Sequence, residues 1–364
     1  MRQIVLKDIM ILYYIKMDLK NNAHMKNILF LALALIMVLN VSSQDQQPFM
    51  VKSYSGVKRV KASTAGGNLT VEGSDVKEST VKVYIRSSDY NQKLSDSEIR
   101  ERLEKDYTLR METEGDLLVL QAKNRNNVNW KKGLSISFEV IVPRSTSSDL
   151  TTSGGNIELR GVEGKQDFVT SGGNLVVKDV RGNIKGTTSG GNITAEGLSE
   201  NIDLVTSGGN VNARSCKGKL TLTTSGGNIN LDELEGTISA STSGGNVYGE
   251  SLKGEVLAAT SGGNVELEKI YGSVRAATSG GRLRVSIEEI GKYVKLGNSG
   301  GDIDLDLPSG KGYDLDIKAS RIKTEALSNY SGSMSESRLD GKLNGGGIPV
   351  TIDKAGTVRL SFHK

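Results

Sequence analysis

Residue types able to do chemistry are scarce in these 364 residues, which hold two histidines and one cysteine. His24 lies in the N-terminal segment, leaving Cys216 and His363 for everything beyond residue 43. Nucleophilic catalysis of the Ser/His/Asp or Cys/His kind needs a histidine beside its nucleophile, and His363 is next to the C-terminal residue. Structural zinc usually takes four Cys or His ligands, more than this pair supplies. The carboxylates offer a little more. Asp302, Asp304 and Asp306 alternate along one stretch, and Asp314 and Asp316 repeat the spacing. On a strand, that period places them on one face. There they are candidate ligands for calcium, a hard cation that favours clustered carboxylates. Ile303, Leu305 and Leu307 fill the alternate positions, so a solvated outer face opposite an apolar inner one accounts for the same pattern. No catalytic or cofactor-binding residue is assigned, and no cofactor is expected.

Glycine motifs are the other conspicuous pattern. Ser-Gly-Gly begins at Ser153, Ser171, Ser189, Ser207, Ser225, Ser243, Ser261 and Ser279, always 18 residues apart, and again at Ser299 after a step of 20. A phosphate-binding loop would add Lys-Ser/Thr and a helix, and Ser-Gly-Gly-Asn is followed by neither. Before each motif stands a threonine: Thr152, Thr170, Thr188, Thr206, Thr224, Thr242, Thr260 and Thr278. Such a column raises an ice-binding reading, which needs a flat outward array. This threonine shares parity with the aliphatics two and four residues before it, so it faces inward or lies at a corner. A polysaccharide-acting β-helix enzyme, hydrolase or lyase, is the other alternative. Arg321-Ile322-Lys323 resembles the substrate-binding tripeptide of polygalacturonases, but the paired aspartates and Gly-His-Gly of that family have no match here. Glycoside hydrolysis also wants two carboxylates around a sugar cleft. Aromatic sugar platforms are few, since Phe168, Tyr248, Tyr271 and Tyr293 occupy different columns and Trp130 lies outside the repeats.

The repeat itself dictates which elements carry these residues, since a fixed period of this length marks a stacked architecture. Four residues after each Ser stands an aliphatic, among them Ile157, Leu175, Ile193 and Val211, and two further on come Leu159, Val177, Ala195 and Ala213. Nine after the Ser are Val162, Val180, Leu198, Cys216 and Leu234, so Cys216 reads as a small core hydrophobe. Thirteen after it are Ile184, Ile202 and Leu220, with Gln166 as an exception. Spacings of two mark inward runs on short strands, so each repeat supplies at least two. The parity slips at Ser-Gly-Gly-Asn and again just before the ninth position. Both slips are corners, because without a bend they would turn the apolar set outward. Gly-Gly suits a corner through its tolerance of positive φ. Stacked repeats place Asn156, Asn174, Asn192, Asn210, Asn228, Asn246 and Asn264 in a column, where each amide can bond its neighbours above and below.

Flanking segments differ in character. Residues 44–150 read as a β-rich cap, with a short helix that starts at a Ser95/Glu98 capping box and a Leu94/Ile99 staple. Residues 151–298 are the repeat array, and residues 299–364 read as closing repeats and a cap. Met25-Lys26-Asn27, followed by the apolar run from Ile28 to Val41, has the form of a secretory signal over residues 25–43. That run is too short for a membrane span, which needs about 20 residues. Residues 1–24 read as an upstream extension or a mis-set start. Three of the four net positive charges fall before residue 44, so the remainder is nearly balanced and gives no electrostatic case for nucleic acid. With 44 glycines, 4 prolines and 5% aromatics, the core must be built from many small aliphatic contacts.

The signal, the strand ending Ile141-Val142-Pro143-Arg144, and Thr152-Ser153-Gly154-Gly155-Asn156-Ile157 with its successive copies resemble the bacterial adhesin-like family of exported, Gly-rich β-solenoids of the cell envelope. The resemblance spans about residues 50–364. It implies an all-β solenoid (β-helix) of stacked 18-residue coils, a role in adhesion or envelope organisation, and no catalytic residues. The expected partner is a surface glycan or protein, or a second copy of the chain. No membrane span is expected after signal cleavage. The expected location is the periplasm, the cell surface or the medium.

Overall fold

The computed structural model describes residues 47–89, 91–125 and 133–364. The expected signal over residues 25–43, the extension before it and Trp130 lie outside the described residues. The chain divides into Met1–Gln47 and Pro48–Lys364, and every described strand belongs to the second unit.

That unit is all-β. Its strands hydrogen-bond into one 29-stranded sheet, with a single helix, Asp96–Asp106, among the described residues. Repeats up to the one beginning at Ser243 contribute a four-residue strand and a longer one, such as Ile193–Glu196 and Ser199–Thr206, which in the next two run together as Val265–Thr278 and Leu283–Asn298. Both kinds of strand pair in parallel with their equivalents 18 residues on: Ile193 faces Val211, and Ser199 faces Lys217. The apolar columns all point inward, and Ile157, Leu175, Ile193, Val211 and Ile229 are fully buried. Gln166 is buried too. Its side-chain carbonyl accepts from the Ser148 hydroxyl at 2.6 Å, and its amide donates to the Thr146 carbonyl at 2.9 Å. Phe168 is accommodated because the residue beside it in the next repeat is Gly186, where a Cβ would strike its ring.

The two corners work differently from each other, and the first differs from expectation. None of the paired glycines of the Ser-Gly-Gly motifs has positive φ. Their requirement is steric. A Cβ on Gly209 would lie against the carbonyl of Gly191, well inside van der Waals contact, and every second glycine of the array meets its predecessor likewise. A Cβ on the first glycine of a pair would make only ordinary van der Waals contact, as at Gly208, where the nearest atom is 3.6 Å away. The left-handed residues sit instead at the second corner. Gly161, Asp179, Gly197, Ser215, Glu233, Ser251 and Lys269 have φ between 51° and 66°.

The threonine column fastens one turn to the next. Thr206 donates its hydroxyl to the Gly191 carbonyl of the preceding repeat at 2.8 Å and accepts from the Gly209 N–H of its own turn at 3.3 Å. The same pair of bonds recurs from Thr152 to Thr278. These hydroxyls are buried and engaged, which removes the motive for an ice-binding face built on this column.

The array starts earlier than residue 151. Strands Arg59–Thr64 and Leu69–Ser74 pair with Ser147–Thr152 and Ile157–Arg160 at an offset of 88 residues, so Thr64-Ala65-Gly66-Gly67-Asn68 is the first turn of the stack. The intervening chain leaves and returns beneath it. Leu117–Asn124 and Leu134–Pro143 pair in parallel with that first repeat, and antiparallel strands Tyr107–Glu114 and Glu78–Ser87 extend outward from them. The helix starts at the expected capping box, with Ser95 accepting from the Glu98 N–H and Glu98 accepting from the Ser95 N–H. At the other end the strand order ceases to follow the chain. The closing strands Ile348–Ile352 and Thr357–His363 insert between the repeat ending at residue 308 and the strands Tyr313–Lys318 and Arg321–Thr324.

The glycine pair makes a direct test. Gly209→Ala is expected to cost about 3 kcal/mol or more, since backbone, not a flexible side chain, must move. Gly208→Ala should fall within about 0.5 kcal/mol of wild type. Denaturant melts of the two variants check this, and equal stabilities would contradict the stacking argument.

Candidate functional site

Residues singled out for chemistry fall at separate places. Cys216 is buried in the core, and its thiol donates toward the Arg214 carbonyl at 3.2 Å. Burial pushes the thiol's pKa up, so little reactive thiolate forms. Arg321 is paired with Glu336 at 3.0 Å, Ile322 points inward and Lys323 is exposed, so the basic pair flanks a buried apolar residue on the short strand Arg321–Thr324. Phe168 is buried, whereas Tyr248 and Tyr271 are exposed and Tyr293 is half-buried.

The aspartate row is occupied by its neighbours. Arg359 donates to Asp304 at 2.9 Å and to Asp302 at 3.1 Å, while Ser361 and His363 bond the two oxygens of Asp306 at 2.7 and 2.8 Å. Among the described residues, no group of three or more His, Cys, Asp or Glu is arranged to hold a metal ion. The Thr357 N–H and then Arg359 hold the Asp302 carboxyl below the usual carboxylate range.

Asp302 also occupies the place of the asparagine column. Along that column the side-chain carbonyl of each residue accepts from the main-chain N–H of the next: Asn156 to Asn174, Asn174 to Asn192 and Asn192 to Asn210, each at 2.8 Å. The series runs through Asn228, Asn246 and Asn264 to the Arg282 N–H. The contact therefore joins side chain to backbone, in place of the amide-to-amide bonds that stacking alone suggests. At the two ends other residues take the role. Ser137 accepts from the Asn68 N–H at 2.9 Å, and Asp302 accepts from the Thr357 N–H at 2.8 Å.

Two concave surface features stand out. The first is a groove of about 580 Å³ across the short strands, lined by Glu196, Arg214, Asp232, Tyr248, Glu250 and Glu268. Its charges are largely paired along the stack, as in Lys178–Glu196 at 2.6 Å and Arg214–Asp232 at 3.3 Å. The second is a notch of about 930 Å³ at the second corner, lined by Glu235, Ser251, Lys253, Tyr271, Glu289 and Ile290. Sequence columns reveal neither one. Both depend on which outward residues are tyrosine, and the notch depends on where the spacing breaks from 18 to 20.

No family model and no characterised protein matches this sequence. Two solved structures are similar over 86% of this chain. One is a candidate cell adhesion protein from Clostridium sporogenes, 98% covered, at 10% identity and a TM-score of 0.20. The other is a candidate adhesin from Bacteroides fragilis, 96% covered, at 11% identity and a TM-score of 0.25. Likeness at this level leaves function to be read from the chain's own surfaces.

Cys216 should resist an aromatic disulfide reagent in the folded protein and react once denatured, and rapid native labelling would contradict its burial. Because the Asp302 carboxyl titrates low in the folded chain, its stabilising contribution is full above the ordinary aspartate value of about 3.9 and is lost as pH falls below it. Acid should therefore loosen residues 357–363, and Asp302→Asn should reduce that pH dependence, as read by hydrogen exchange corrected for intrinsic rates. Identical acid responses in both proteins would refute the assignment.

Proposed function

We propose that this chain is an exported, non-catalytic β-solenoid that serves as an adhesin-like or envelope scaffold and meets its partner through its outer rows of side chains. The observation that carries the reading is the parallel register of the short strands: equivalent residues 18 apart lie opposite one another without a break from Ile157 to Leu283. Such a register turns each outward column into a continuous row, so recognition can be spread over many repeats. The rows alternate in charge, as along Lys217, Glu235 and Lys253, which neighbour one another in register. A scaffold of this kind is stabilised by nearest-neighbour stacking and needs no bound group.

Support for the non-catalytic reading comes from what the reactive groups are doing. The one thiol is buried, and the histidine at residue 363 is held by Asp306 and lies 3.8 Å from Glu288. Export rests on the signal-like segment over residues 25–43. Among the described residues no helix is long and apolar enough to cross a membrane, which says nothing about crossing by strands.

A deletion strain examined for attachment and aggregation tests the reading, with purified protein added back. Reduced attachment that the added protein restores or competes is expected. Unchanged attachment would reduce the role to envelope scaffolding. Release of reducing sugar from a polysaccharide panel would favour the hydrolase reading.

A further inference from the structure

The array keeps its 18-residue step until the repeat that begins at Ser279, which reaches Ser299 two residues late. The extra length is absorbed at the second corner, where Tyr271 faces Glu289 but Val274 faces Val294. The displaced segment is pinned. The Lys292 N–H donates to the Ser273 hydroxyl at 2.8 Å, and the Tyr293 hydroxyl reaches back to Glu255 at 2.6 Å. Glu289, Ile290 and Gly291 thereby form a fixed wall on one side of the notch, opposite Glu233, Leu234 and Glu235. Across its floor lie Ser251, Lys253 and Tyr271, with the Lys253 ammonium 5.8 Å from the centre of the tyrosine ring.

From this arrangement we infer that the notch around Tyr271 is a binding site for a neutral saccharide. The inference rests on the adhesive reading above and gives it a ligand class. Four features favour a sugar. An exposed aromatic ring offers an electron-rich face against which the C–H face of a pyranose can stack. Carboxylates at Glu235 and Glu289 accept from adjacent hydroxyls, while Lys253 and Ser251 supply donors. The volume lies within the range of about 300–1,000 Å³ usual for small-ligand sites. The floor is rigid, because a Cβ on Gly272 would collide with the Gly254 backbone, and a pre-formed site avoids the cost of ordering on binding. Glu233 has Arg214 at 3.8 Å and Glu235 has Lys217 at 3.3 Å, so Lys253 is the one cation in the notch lining itself, which disfavours phosphate-rich or polyuronate ligands.

A glycan array followed by calorimetry on the purified protein tests this. Binding to one or more neutral hexose or hexosamine glycans is expected, with Tyr271→Ala weakening it tenfold or more and Glu289→Gln weakening it to a lesser degree. Tyr248→Ala, in the separate groove, should leave affinity within twofold. Circular dichroism and melting confirm that the variants fold, as expected for an exposed side chain. Glycan binding that survives Tyr271→Ala, or is lost only in Tyr248→Ala, overturns the notch and leaves the adhesive reading standing. Binding restricted to uronate glycans, or no glycan binding by a protein that still promotes attachment, also overturns it. Loss of the adhesive reading itself would show separately, as unchanged attachment in the deletion strain.

Discussion

Between one Thr-Ser-Gly-Gly-Asn turn and the next, a threonine hydroxyl donates to a glycine carbonyl at 2.7–2.9 Å, and the glycine above leaves no room for a Cβ. The rest of the unit depends on that closeness. A buried carbonyl left without a donor costs about 1–3 kcal/mol, so the threonine is placed where the loss would recur at every turn. Asparagine completes the arrangement by carrying a side-chain oxygen to the next main-chain N–H. Where the sequence departs from the pattern, the bonding persists. Asn298 stands in the threonine position, donating to the Gly281 carbonyl at 2.7 Å and accepting from the Gly301 N–H at 2.9 Å.

With the interior fixed this way, the outer columns are free to vary. Successive residues at one outward position are Glu163, Arg181, Ser199, Lys217, Glu235, Lys253 and Tyr271. Exposed ion pairs between them contribute little to stability, typically about 0–1 kcal/mol each. Their identity is therefore open to selection for binding, and a tyrosine in such a row changes the surface without disturbing the stack. The left-handed corner beside this row is similarly tolerant of sequence. Asp179, Ser215, Glu233, Ser251 and Lys269 adopt there a conformation that costs about 1–2 kcal/mol for a residue with a Cβ, and the surrounding ladder holds them in it.

Much of this is legible in residue spacing. The aliphatic columns, the inward threonines, the burial of Cys216 and the helix start at Ser95 all follow from period and parity. The glycine pairs mark the right corner, but positive φ is the wrong reason for them, because a sequence does not show how near the next turn will lie. Left-handed residues escape notice where they are not glycine. Gly186 carries no signal of its own in the sequence, yet its lack of a Cβ admits Phe168 from the neighbouring repeat, an exchange of volume that a column average hides. The aspartates are visible as a row, but their partner Arg359 stands 55 residues beyond Asp304 with no repeat to announce it. The same irregular offset conceals the ordering of the closing strands.

That ordering bears on how the chain is made. A stack whose members follow the sequence can be laid down turn by turn as polypeptide emerges. Here residues 313–324 cannot take their final place until residues 348–363 have arrived to lie beneath them. This end of the stack thus closes only when residues 348–363 have been synthesised. A copy lacking those residues would leave Ile303–Pro308 and Arg321–Thr324 without their shared neighbour, an open edge exposed to proteolysis.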